Sequence, residues 1–201
     1  MDRWVDEGEA LMKLVVGLGN PGSQYSGTRH NVGFDVIAEL SQRWQCPKPQ
    51  LKFDAEIREA FPSSGKLLLA TPMTYMNLSG KSVQQITRFY QIASEDVVVI
   101  CDDMNLPLGT LRWRASGSSG GQKGLADILQ RLGTDQVPRL RLGVGRPPGQ
   151  MEASTWVLAR FRSDERTEAE IMTKVAADSV ECWAADGLVT VMNKFNKSGS
   201  Q

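Results

Sequence analysis

The chain has 201 residues, 41% hydrophobic and 23% charged, with 23 basic side chains against 23 acidic ones. This composition supports one domain with a substantial core and excludes a disordered chain or a fibrous repeat. No apolar run is long enough to cross a bilayer, the start MDRWVDEGEALMK is acidic where a secretory leader is basic, and the scattered Cys46, Cys101 and Cys182 with a single histidine argue against a disulfide framework or a zinc site, so a cytoplasmic protein with reduced thiols is expected.

The apolar runs KLVVGLG, KLLLATP, VVVICDD and RLRLGVG alternate with segments of helical periodicity, which predicts an α/β fold. The expected domain spans residues 1–201, with an ordered core at about 12–196 and loose ends in the first ten residues and in KSGSQ. A first helix is predicted over about Asn31 to Trp44, with Phe34, Ile37, Leu40 and Trp44 facing the core. A second covers about Leu78 to Ile92, with Val83, Ile86, Phe89 and Tyr90 as its apolar stripe. A short helix follows Gly124, and a longer one runs from about Asp164 to Ala185 with Ile171, Val175, Val180 and Trp183 inward. TLRWR comes so soon after the DDMNLPLG turn that it suits an antiparallel strand better than a helical crossover, so the sheet is predicted to be mixed.

Gly17, Gly19 and Gly22 have the spacing G-x-G-x-x-G after the first strand. A dinucleotide site requires the helix to open inside that motif, because the pyrophosphate rests on its N-terminal N–H groups. Here the polar stretch Ser23 to Thr28 intervenes, and Glu39 falls inside the helix, not at the end of a second strand. The second glycine cluster, GSSGGQKG at Gly117 to Gly124, lacks the Gly-Lys-Ser/Thr of a phosphate loop and reads better as a mobile lid or a close-approach surface.

Charge is unevenly distributed. Between Arg112 and Arg146 seven basic residues face only Asp127 and Asp135, a local surplus suited to phosphates or to a solvated face.

The glycine loop ends at His30, the only histidine, at the start of a predicted helix whose dipole disfavours the imidazolium and so favours the neutral base. Asp102, after the apolar run VVVIC, is the candidate to orient it, although a strand-end turn aspartate is the plain alternative. No G-x-S-x-G elbow or activated cysteine offers a covalent nucleophile, which leaves attack by water. Asn20 and Asn77 can offer amide hydrogens to a carbonyl or its oxyanion; Asn77 can alternatively cap the helix that follows.

Together GLGNPGSQYSGTRHN, TPMTYMNLSGKSV, VICDDMNLPLG with RWR, and RLRLGVGRP resemble the bacterial peptidyl-tRNA hydrolase family, in the family's order, from about Lys13 to Phe195. The resemblance implies a three-layer α/β/α domain with a twisted mixed sheet. It also implies a monomer without metal, cofactor or obligate protein partner that cleaves the ester between a peptide and the 3′ end of tRNA. His30 matches the base that activates water, and Asp102 its orienting carboxylate. Asn20 matches the asparagine associated with selecting N-blocked esters, and Asn77, beside Met76, the one that holds the peptide backbone. Tyr25 and Tyr75 match substrate contacts, while Arg114 and Arg139 match the clamp on the tRNA 5′ phosphate; Arg112 shares the strand face of Arg114.

The family usually has Gly-His-Asn-Gly where this chain has Gly121-Gln122-Lys123-Gly124, at positions that border the substrate, and often an aspartate where this chain has Asn105. Glutamine cannot titrate near neutrality, and Lys123 adds a charge. These departures leave one alternative, an RNA-binding relative without catalysis, which retention of His30, Asp102, Asn20 and Asn77 argues against.

Overall fold

A computed structural model describes residues 12–196, so the loose ends expected at the two termini lie outside the described residues. Seven strands, β1 (Lys13–Gly17), β2 (Gln50–Lys52), β3 (Ala55–Ala60), β4 (Leu67–Pro72), β5 (Val97–Asp103), β6 (Leu111–Arg114) and β7 (Arg139–Gly143), form one sheet in the order β2-β3-β4-β1-β5-β7-β6. β4, β1, β5 and β7 run parallel, whereas β2, β3 and β6 join antiparallel at the two sides. β4 and β5 are buried along their whole length, which is why they read as unbroken apolar runs and not as alternation.

The helices are α1 (Val32–Arg43), α2 (Ser79–Tyr90), α3 (Lys123–Leu132), α4 (Ala153–Leu158) and α5 (Arg166–Phe195). On one face of the sheet Val36, Ile37 and Leu40 of α1 and Met172, Val180 and Trp183 of α5 pack on Val15, Val98, Ile100 and Trp113. On the other, Val83 and Ile86 of α2 and Leu125 and Ile128 of α3 pack on Leu14, Val16, Val97 and Val99. Three layers result, and the mixed α/β/α expectation holds.

Several local expectations need correction. β6 is antiparallel, but its partner is β7, which inserts between β6 and β5. The β2–β3 hairpin was not foreseen, because its turn residues Phe53 and Asp54 take φ of 57° and 55° without the usual Asn-Gly signal. The Phe53 ring lies 5.1 Å from that of Phe89, which explains why Phe89 sits under the hairpin turn, 65% exposed, and not in the core. Ile171 is also outward, 57% exposed, while its neighbour Met172 takes the buried position. The last helix continues past Ala185 to Phe195, with a break at Gly187, whose φ is 82°.

Candidate active site

The site forms at the carboxyl ends of β1, β4 and β5, where open α/β sheets gather ligand contacts. β1 feeds the glycine loop, and the glycines allow α1 to press against the strand end. A Cβ on Gly17 would stand 2.2 Å from the Gly33 carbonyl oxygen, and one on Gly19 would enter the Phe34 ring at 2.7 Å. Gly22 takes φ of 110°, which turns the chain away. The spacing therefore serves strand–helix contact and one sharp turn, and α1 begins only at Val32, ten residues after Gly22.

Thr28 bridges Arg160, and the Arg29 amide donates to Ala159 O at 3.1 Å. The Arg29 guanidinium, 1% exposed, stacks 3.5 Å from the Trp156 ring centroid, donates to the Ala159 and Arg160 carbonyls and pairs with Glu165. This buried cation ties the loop to α4, which forms one wall of a cleft of about 650 Å³. His30, next in the chain, faces that cleft.

His30 Nδ1 lies 2.9 Å from Asp102 Oδ2. Asp102, the penultimate residue of β5, is almost fully buried, and its carboxylate is held by side chains and not by the turn that follows. With Nδ1–H donated to the carboxylate, Nε2 is left as the acceptor that a general base needs.

Asn20 is pinned on three sides. Its amide N–H donates to Asn31 Oδ1 at 2.9 Å, its carbonyl accepts from Asn31 Nδ2 at 3.0 Å, and its Oδ1 accepts from the Met76 amide at 2.9 Å. The last contact fixes the side-chain amide with oxygen toward Met76 and Nδ2 free; among the described residues nothing accepts from Nδ2. Asn31 was missed by sequence reasoning, although it is the last residue of the same motif. Tyr75, Met76 and Asn77 line the opposite side of the cleft. Asn77 is exposed and does not cap α2; Asp127 of α3 does that work, accepting from the Gly80 amide at 2.8 Å.

Gln122 and Lys123 also line the cleft, Gln122 buried and Lys123 exposed at the rim. Tyr25 stands half-buried on the loop, outside the cleft wall. Cross-strand register puts Arg112 opposite Arg141 and Arg114 opposite Arg139, so the basic side chains share one face of the sheet. Arg114 is exposed and Arg112 half-buried. Arg139 departs from expectation: it is 2% exposed, and its guanidinium donates to the carbonyls of Val137, Gly117, Ser118 and Asp135. Burial lowers its pKa from the ordinary arginine value, and its contacts fasten the second glycine cluster in place of a phosphate. Arg141, which pairs with Asp103, is the member that reaches the cleft. Alternation alone could not tell which of the two arginines the loop would cover. Asn105 closes this side, its amide donating to Asp103 Oδ1 at 2.8 Å and its Oδ1 accepting from Arg146 at 3.4 Å.

Residues 14–201 match the peptidyl-tRNA hydrolase family. The chain is 48% identical over 185 residues to the peptidyl-tRNA hydrolase of Rhodopirellula baltica, covering 92% of this chain and 97% of that one, and 44% identical to that of Syntrophomonas wolfei, covering 92% and 100%. The crystal structure of peptidyl-tRNA hydrolase from Acinetobacter baumannii superposes with a TM-score of 0.87 at 33% identity, covering 94% of this chain and 98% of that one. The chain belongs to the peptidyl-tRNA hydrolase family.

Proposed function

We propose that the chain is a peptidyl-tRNA hydrolase in which His30 and Asp102 activate water against the ester joining a peptide to the 3′ end of tRNA. The observation that carries this reading is the 2.9 Å contact between the single histidine and a buried carboxylate in the cleft. His30 Nε2 takes a proton from water as the oxygen attacks the ester carbonyl, and Asp102 stabilises the resulting imidazolium. Asn20 Nδ2 offers its hydrogens to the developing oxyanion. The tetrahedral species then collapses: the bond to the ribose 3′ oxygen breaks, and His30 returns its proton to that oxygen. General-base help typically contributes about 10²–10⁴-fold and an oxyanion donor about 10²–10³-fold, which suits an ester without a covalent intermediate.

Met76 and Asn77 bind the peptide side of the substrate, with Tyr75 at the mouth, and Gln122 and Lys123 border it across the cleft. Tyr25, on the loop outside the cleft, reaches the peptide only where it emerges. Arg112 and Arg114 meet tRNA phosphate, a contact that positions the acceptor end without reading bases. The protein acts as a monomer in the cytoplasm, a reading with which its three free cysteines agree; among the described residues no helix is long and apolar enough to cross a membrane. The test is hydrolysis of an N-blocked aminoacyl-tRNA beside its free-amine form. Cleavage of the blocked form is expected, and binding of both without cleavage would instead establish an RNA-binding protein.

A further inference from the structure

We propose that Gln122 is the positioning residue of the hydrolytic pair, a clamp of fixed protonation that holds one oxygen of Asp102 while His30 takes the other. The catalytic consequence rests on the hydrolase reading above; the placement does not. Gln122 precedes α3, and its Oε1 accepts from the Leu125 amide at 2.7 Å. That amide can only donate, so the atom facing it is oxygen, and Nε2 must point the other way. There it lies 3.2 Å from Asp102 Oδ1 and 3.1 Å from Met76 Sδ.

The two Asp102 oxygens are therefore divided between donors from different elements, Oδ2 to the loop after β1 and Oδ1 to the start of α3. A carboxylate held through one oxygen can swing about its terminal torsion, which is soft, whereas two donors fix its plane. With Asp102 6% exposed, bulk water is poorly placed to substitute for a missing donor. A histidine in this position, as the resemblance leads one to expect, changes its donors as it titrates. The glutamine amide presents the same N–H at every pH. The other charged groups facing the pair are Asp103 and Arg141 beside it, Lys123 at the rim and Glu152 across the cleft.

Gln122→Glu separates the two duties. The new carboxyl keeps an oxygen for the Leu125 amide in either protonation state, but it donates to Asp102 only when protonated. Turnover of an N-blocked aminoacyl-tRNA is expected to fall about tenfold relative to wild type as pH rises through the new titration, with the thermal midpoint little changed at acidic pH. Because His30 is the only histidine, tag-free protein gives one imidazole signal by NMR. Its titration midpoint is expected about one unit above that of the wild type, as a second negative charge accumulates beside it. Gln122→Met fills similar space without a donor, so its rate deficit is expected to be independent of pH. A His30 titration that overlays wild type in Gln122→Glu would overturn the placement, whether or not the protein cleaves the ester. Wild-type turnover across the pH range in both variants would overturn the positioning role. Failure of the wild type on the blocked ester would count against the hydrolase reading alone, and the NMR comparison would still decide where Gln122 points.

Discussion

His30 reaches Asp102 from a loop held by glycine contacts, and Asp102 meets it from the end of a fully buried strand, with 2.9 Å between Nδ1 and Oδ2. The proposed base is thus carried by one element and the carboxylate proposed to orient it by another. Asp102→Asn preserves the shape but offers His30 an amide, which can turn the imidazole to the wrong tautomer. We expect kcat for the N-blocked ester to fall about 10²–10⁴-fold with KM little changed, read from steady-state kinetics at pH 7. A raised KM with kcat retained would mean that Asp102 serves binding.

The strand–helix contact that positions His30 is itself testable. A Cβ on Gly33 would stand 2.4 Å from the Leu18 amide nitrogen and 2.6 Å from the Ile100 carbonyl oxygen, both backbone atoms that cannot rotate away. Gly33→Ala should cost about 3 kcal/mol in urea unfolding, near the upper end for overpacking. Unchanged stability would show that α1 can lift from β1 without penalty.

The two arginines that alternation pairs should separate cleanly. Arg114→Ala should raise KM for tRNA substrates and flatten its dependence on salt, with kcat nearly unchanged, since an exposed cation on phosphate contributes by counterion release. Arg139→Ala should instead lower the thermal midpoint, because four carbonyls lose their buried donor. A stable Arg139→Ala with a raised KM would return that residue to the phosphate contact.

Asp35 supplies a pH dependence unrelated to catalysis. Burial in α1 raises its pKa from the ordinary 3.8 to about 6. Between those values the folded state binds more protons than the unfolded one, so stability falls as pH rises through the window. The effect is about 2 kcal/mol, reduced from the full linkage value because the carboxyl is only partly buried. Asp35→Asn should abolish that slope and be the more stable protein at pH 7, as urea midpoints at pH 4.5 and 7 would reveal. A variant that keeps the wild-type slope would clear Asp35 of responsibility.

Legibility followed physical locality. β1, β4, β5 and β7 were visible because their apolar runs ended in turn residues, and His30 and Asp102 were visible because each sits where a strand or loop ends. The Phe53–Asp54 turn was hidden, since its left-handed backbone comes with aromatic contacts to α2 and without glycine. Arg139 and Arg141 look alike in sequence; only the path of the loop over Gly117 and Ser118 decides which is buried. The bonds of Asn31 to Asn20 and of Gln122 to Asp102 depend on side-chain direction, which spacing does not carry.

The most direct measurement is single-turnover hydrolysis of an N-blocked aminoacyl-tRNA by wild-type protein and by His30→Ala, with tRNA binding measured on both. The wild type should cleave, and the variant should lose at least about 10²-fold in rate while binding tRNA with similar affinity. Cleavage by His30→Ala at a rate near wild type would contradict His30 as the base.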